Sequence, residues 1–230
     1  MKRIGIIGGM SWESTQTYYQ LINEAVRDRL GGLHSAQLVL YSVDFHQVER
    51  LQAAGDWDRA GDLLADGARG LEAAGADFLI LATNTMHQVA PAIEAAVEIP
   101  FLHIADATAE RIRADGLSQV GLLGTHYTME EAFYRGRLRD RHGLDVLIPG
   151  EAARDTAHRV IFEELCLGRI ESSSREAYRQ IISGLVEDGA EAVILGCTEI
   201  SLLVSEVDAT VPLYDTTALH AAAAVDMALS

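Results

Sequence analysis

Short apolar runs alternate with longer amphipathic stretches along the whole chain. The runs RIGIIG (3–8), AQLVLYSV (36–43), DFLILA (77–82), PFLHI (100–104), QVGLLG (119–124), DVLIP (145–149), EAVILG (191–196) and VPLYD (211–215) read as strands. Between them, 57–74, 86–96, 105–115, 152–167 and 174–188 carry the spacing of helices, and 216–229 reads as a final helix. Strands that are apolar on both faces, each followed by a helix, predict parallel sheets covered on both sides.

The pattern repeats. GLEAAGADFLILATNT (70–85) lies over GLVEDGAEAVILGCTE (184–199), an offset of 114 residues from 70 to 184. Gly70, Leu71, Gly75, Ala76, Ile80 and Leu81 fall on Gly184, Leu185, Gly189, Ala190, Ile194 and Leu195, and Thr83 falls on Cys197. GIIGGM (5–10) resembles GLLGTH (121–126), and Pro100-Phe101-Leu102 resembles Pro212-Leu213-Tyr214. Segments matching in the same order at nearly one offset predict two copies of one strand–helix unit. The expected domains are 1–104 plus 216–230, with the last helix returning to the first half, and 105–215. Pseudo-twofold packing would leave a cleft at the carboxyl ends of the strands, where ligands bind in such sheets. Thr83 and Cys197 would then face one another.

Composition narrows the function. The 230 residues carry a formal net charge of −16, which lacks the basic footprint of a nucleic-acid binder. No apolar stretch reaches membrane-spanning length, and Met1-Lys2-Arg3 leads directly into a strand without a secretory pattern. Two lone cysteines, Cys166 and Cys197, do not form a disulfide framework. A soluble cytoplasmic protein is expected. The eight histidines are scattered without metal-ligand spacing, so no metal site is expected.

Four segments carry candidate chemistry. In GGMSWEST (8–15), two glycines permit a tight turn whose N–H groups can hold an anion, but the segment is neither a Walker loop nor a full dinucleotide fingerprint, so no nucleotide is expected. ATNTMH (82–87) ends a buried strand in small polar residues that can cap a helix or aim at a ligand. GTHYT (124–128) offers Thr125 and Thr128 as further anion-binding groups. GCTEI (196–200) sets Cys197 at a strand tip before a helix, where a helix N-terminus lowers a thiol's pKa. Cys166, in IFEELCLG (161–168), reads as helix packing. Glu163 and Glu164 read as solvated charges, with one able to face the cleft.

These motifs resemble the aspartate/glutamate racemase family, in particular its bacterial L-aspartate/glutamate-specific and broad-specificity amino-acid racemases. GIIGGMSWEST (5–15), LGGLHSAQ (30–37), SVDFH (42–46), TNTMH (83–87), PFLHIADAT (100–108), LLGTHYTM (122–129), IFEELCLG (161–168) and GCTEI (196–200) carry the resemblance across nearly the whole chain. It implies two similar Rossmann-like α/β domains, homodimers, and proton chemistry at the α-carbon without pyridoxal phosphate or metal. The typical member uses two cysteines; this chain keeps Cys197 and places Thr83 at the other position.

A threonine hydroxyl is a far weaker acid than a thiol. Cys197 is therefore the expected base, with Thr83 at most relaying a proton to the carbanion, and resemblance to the L-specific branch implies that Cys197 takes the α-proton of an L-amino acid. Asn84, Thr85 and Thr198, at helix starts, are expected to hold the α-carboxylate, Met10 to line the wall, and Gln52, by resemblance, to bond a distal carboxylate. Glu164 completes the expected set. A single-cysteine decarboxylase of the same superfamily and a non-catalytic amino-acid-binding homologue are the alternatives.

Overall fold

The computed structural model describes all residues, Met1–Ser230. The chain divides into two compact units, Met1–Ile104 with His220–Ser230, and Ala105–Leu219. No helix is long and apolar enough to cross a membrane.

The first unit holds strands β1 (Ile4–Gly8), β2 (Leu38–Ser42), β3 (Phe78–Leu81) and β4 (Phe101–Leu102) in one parallel sheet of order β2-β1-β3-β4. Helix α1 (Trp12–Leu30) follows β1; α2 (Phe45–Ala54) and α3 (Trp57–Ala73) follow β2; a 3-10 turn (Thr85–Val89) and α4 (Ala90–Glu94) follow β3. Alternation along the strands assigns each side chain to a face. Ile4, Ile6, Phe78 and Ile80 pack with Tyr18, Ile22 and Val26 of α1 and with Ala221, Ala224, Val225 and Ala228 near the C-terminus. Ile7, Leu79 and Leu81 pack on the other face with Ala60, Leu64, Ala68 and Leu71 of α3. Fully burying one such aliphatic side chain stabilises the fold by about 1.5–3 kcal/mol.

The second unit repeats the design. Strands β5 (Gln119–Gly124), β6 (Asp145–Leu147), β7 (Ala192–Gly196) and β8 (Leu213–Asp215) form a parallel sheet of order β6-β5-β7-β8. Helix α5 (Ile104–Ala114) precedes β5; α6 (His126–Glu130) and α7 (Ala132–His142) lie between β5 and β6. Helices α8 (Glu151–Glu163) and α9 (Ser172–Glu187), separated by a 3-10 turn (Leu165–Leu167), precede β7, and α10 (Ile200–Leu203) follows it. All eight predicted strands form, and so does α11 (Thr216–Leu229). Its first turn, Thr216–Leu219, groups with the second unit, where the Thr216 hydroxyl donates to the Leu195 carbonyl at 2.8 Å.

Local chemistry sets the element ends. The side chains of Ser11, Asp44, Asp56 and Thr125 accept backbone N–H bonds at the starts of α1, α2, α3 and α6. The stretches 86–96 and 152–167, read as helices, are each divided between α-helix and 3-10 turn, the first beginning in a 3-10 turn and the second ending in one. A 3-10 turn reorients the chain where an α-helix would carry it straight on. That difference matters, because both divisions fall beside candidate site residues.

Candidate active site

In each sheet the strand order reverses direction beside the first strand, between β1 and β3 and between β5 and β7. Ligands of open α/β sheets bind beyond the carboxyl ends of strands at such switch points. The turns in question are Gly8–Ser11 and Ala82–Asn84 in the first unit, and Gly124–His126 and Gly196–Thr198 in the second.

The turn after β1 is closed by its own chain. Gly9 has φ +92°, and a Cβ there would lie 2.4 Å from the Val43 carbonyl oxygen, so only glycine fits. Its N–H donates to Thr15 Oγ1 at 2.8 Å, and Thr15 Oγ1 donates to the Ser11 carbonyl at 2.9 Å. The Gly9 N–H is thus already used within the turn. Met10 is buried in the apolar cluster of α2 and α3 with Val48 and Met86. Gln52 is also buried, and its amide donates to the Met86 sulfur at 2.9 Å.

The turn after β3 is held by backbone and imidazole. Ala82 N–H donates to the Ile7 carbonyl at 2.9 Å, and Ser14 Oγ donates to the Ala82 carbonyl at 3.4 Å. Thr83 is half-buried, while Asn84 and Thr85 are buried at the start of the 3-10 turn. His87, one turn on, contacts the Thr83 carbonyl oxygen through Nδ1 at 2.7 Å.

In the second unit, Gly124 and Gly196 are directly paired across β5 and β7. A Cβ on Gly196 would lie 2.9 Å from the Leu123 carbonyl and one on Gly124 3.0 Å from the Gly196 carbonyl, so the strand tips close without side chains. Thr125 caps α6 by accepting from Thr128 N–H at 3.3 Å, and the two hydroxyls lie 3.3 Å apart. His126 sits between Glu130 at 2.9 Å and Asp155 at 3.2 Å in a surface network.

Cys197 follows Gly196 and is half-buried. Its thiol donates to Glu199 Oε2 at 3.0 Å. Burial pushes the thiol's pKa well above its ordinary value, with the Glu199 carboxylate pushing in the same direction. This overturns the expectation of a thiol lowered by a helix N-terminus. The helix after Cys197 is a single turn, Ile200–Leu203, beginning three residues away, and the hydrogen-bonded neighbour is an acid. Thr198 is buried beside it.

Glu164 lies at the end of α8, where it accepts from the Ser174 hydroxyl and from Arg159 at 3.0 Å. These bonds, Ser174's first, hold its carboxyl below the usual range despite partial burial. A carboxylate suits a substrate ammonium, not a substrate carboxylate. Cys166 lies in the 3-10 turn after α8, and its thiol adds a smaller influence that raises the Cys197 thiol. Its sequence pattern, that of helix packing, did not place it there. Nor did the sequence assign Glu199 a bond to the thiol; the available signal was an acid two residues after a turn cysteine.

Residues 7–224 match the family described as Asp/Glu/Hydantoin racemase. The chain belongs to that family. The broad specificity amino-acid racemase RacX of Bacillus subtilis is 25% identical over 232 residues, covering 99% of this chain and 98% of RacX. A Yersinia pestis crystal structure described as an Asp/Glu racemase superposes with a TM-score of 0.95 at 56% identity, covering 100% of both chains. A Pyrococcus horikoshii aspartate racemase homologue gives a TM-score of 0.87 at 35% identity, also over 100% of both. Membership in the Asp/Glu/Hydantoin racemase family supports amino-acid racemase chemistry for the chain.

Proposed function

We propose that this chain is a pyridoxal-phosphate-independent amino-acid racemase acting on L-aspartate and L-glutamate, with Cys197 as the base and Thr83 as the opposite proton relay. The observation that carries the reading is the Cys197–Glu199 pair at the switch point of the second sheet. A thiol raised by burial rests protonated and cannot itself take an α-proton. The carboxylate 3.0 Å away supplies the missing step: Glu199 takes the thiol proton, and the thiolate then breaks the substrate Cα–H bond. The electron pair delocalises onto the α-carboxylate, for which Asn84, Thr85, Thr125, Thr128 and Thr198 are the proposed donors. Thr83 passes a proton to the other face of the resulting planar carbon.

Thr83 is a weak acid, so inversion from the L side is expected to exceed inversion from the D side. The Gln52 amide is proposed to meet the distal carboxylate of an acidic substrate; Glu164 is the proposed partner of the ammonium. A soluble homodimer in the cytoplasm is the proposed working form.

A panel of L- and D-amino acids in deuterated water, read by NMR, tests the reading. Loss of the α-proton signal from L-aspartate or L-glutamate, without CO₂ release, is the expected result. CO₂ release would move the chain to the decarboxylases, and binding without exchange would make it a binding protein.

A further inference from the structure

The geometry points to His87 as a positioning residue that fixes the peptide of Thr83 and so sets the direction of its hydroxyl. The inference rests on the racemase reading above and adds to it a residue with no place in the proposed proton steps.

Two hydrogen bonds define the ring. The Ile104 backbone N–H donates to His87 Nε2 at 3.2 Å. A backbone N–H can only donate, so Nε2 is an acceptor and carries no proton. In the neutral ring the proton then sits on Nδ1, which donates to the Thr83 carbonyl at 2.7 Å. Protonation of the whole ring would set an N–H against the Ile104 N–H, so the site selects the neutral Nδ1–H form. The ring is 1% exposed. His103 lies 4.3 Å from it centre to centre, and Phe101 5.6 Å. The imidazole is therefore fixed in angle as well as in tautomer.

The consequence falls on one residue. Thr83 lies between the last strand residue and the 3-10 turn, and its carbonyl lies outside the strand ladder. His87, four residues later, returns over the turn to bind that carbonyl, while its far nitrogen is anchored to the first residue of α5. The peptide plane of Thr83 is thereby tied across the sheet end to the chain leaving β4. A side chain that must deliver a proton along one line benefits from such bracing, because small misplacement of a reacting group costs large factors in rate.

Two substitutions separate the two bonds. Asn places a donor near the position of Nδ1; Gln places an amide near the position of Nε2. In deuterated water, L-substrate gives two products: deuterated L-amino acid, from return on the Cys197 side, and deuterated D-amino acid, from delivery on the Thr83 side. His87→Ala is expected to lower the D-to-L product ratio about tenfold while return on the Cys197 side continues. His87→Asn is expected to restore most of the ratio, and His87→Gln is not. General destabilisation would lower both products together, so an unchanged ratio in His87→Ala, or equal behaviour of Asn and Gln, overturns the inference. Nitrogen-15 NMR of the wild-type ring provides a readout independent of turnover. It should show a protonated Nδ1 and a bare Nε2; the opposite tautomer also overturns it. Failure of the wild-type enzyme to exchange any amino acid would instead overturn the racemase reading, and this role with it.

Discussion

After β3 the chain turns around an imidazole, and after β7 it turns around a carboxylate. The two turns start from equivalent strands in sheets of matching order. In the first, a neutral ring binds a backbone carbonyl and leaves the Thr83 side chain to its own weak acidity. In the second, an ionisable side chain binds another side chain, Glu199 Oε2 accepting from Cys197 Sγ. Duplication supplies two equivalent turns, which the proposed mechanism uses for proton transfer. What differs is whether the local partner acts on the backbone or on the side chain, and that difference makes the pair unequal.

Three substitutions put this inequality at risk. Replacing Cys197 with Ala is expected to reduce α-proton exchange on the order of a thousandfold or more, because the base is gone; retained exchange by NMR would remove Cys197 from that role. Glu199→Gln keeps the shape but not the charge, and exchange should fall about a hundredfold with little change in KM. It also removes one of the influences that raise the thiol, burial being the largest, so the rise of rate with pH should begin at lower pH than in the wild type. A profile that stays in place would mean that the carboxylate does not act on the thiol.

Thr83→Cys tests the other turn. It replaces a weak acid with a stronger one, and D-to-L turnover should improve about tenfold. No improvement would show that the inequality has another source.

The smallest effect concerns stability. His220 is fully buried between Tyr18 and the Leu102 carbonyl, with Tyr18 Oη 2.8 Å from Nδ1 and the carbonyl 2.9 Å from Nε2. Burial lowers its pKa to about 4 from 6.5. The unfolded chain therefore binds the proton first as pH falls, and stability present above the unfolded pKa is lost between about 6.5 and 4. Each pKa unit is about 1.4 kcal/mol, so the full loss is about 3 kcal/mol. Denaturant unfolding at pH 7 and pH 5 should show a steeper fall for the wild type than for His220→Asn, which does not titrate; equal slopes would assign the acid sensitivity elsewhere.

Much of the fold was legible because it is periodic. Runs such as FLIL and AVILG have no polar face to confuse a strand with a helix, and the repeat by itself aligned Thr83 with Cys197. The site was less legible because its contacts are short in sequence but decided by turn geometry. Glu199 is two residues from Cys197, and nothing in GCTEI says that its carboxylate folds back on the thiol rather than capping a helix. His87 is four residues from Thr83, the spacing of one helical turn, yet the bond needs the 3-10 turn and the Ile104 N–H to orient the ring. Met10 joins the apolar cluster with Val48 and Met86, and the Gln52 amide donates to the Met86 sulfur, contacts that the sequence around neither residue announced.

The division of the chain also sets an order of events during synthesis. Residues 105–219 are continuous and can fold as soon as they emerge. The first unit begins earlier but is incomplete until Ala221, Ala224, Val225 and Ala228 cover Ile4, Ile6, Phe78 and Ile80. The half that leaves the ribosome first is therefore finished last. During that interval α1 alone covers that face of the sheet, and the part left for the C-terminal alanines is the surface on which a growing chain is most exposed to aggregation or to capture by a chaperone.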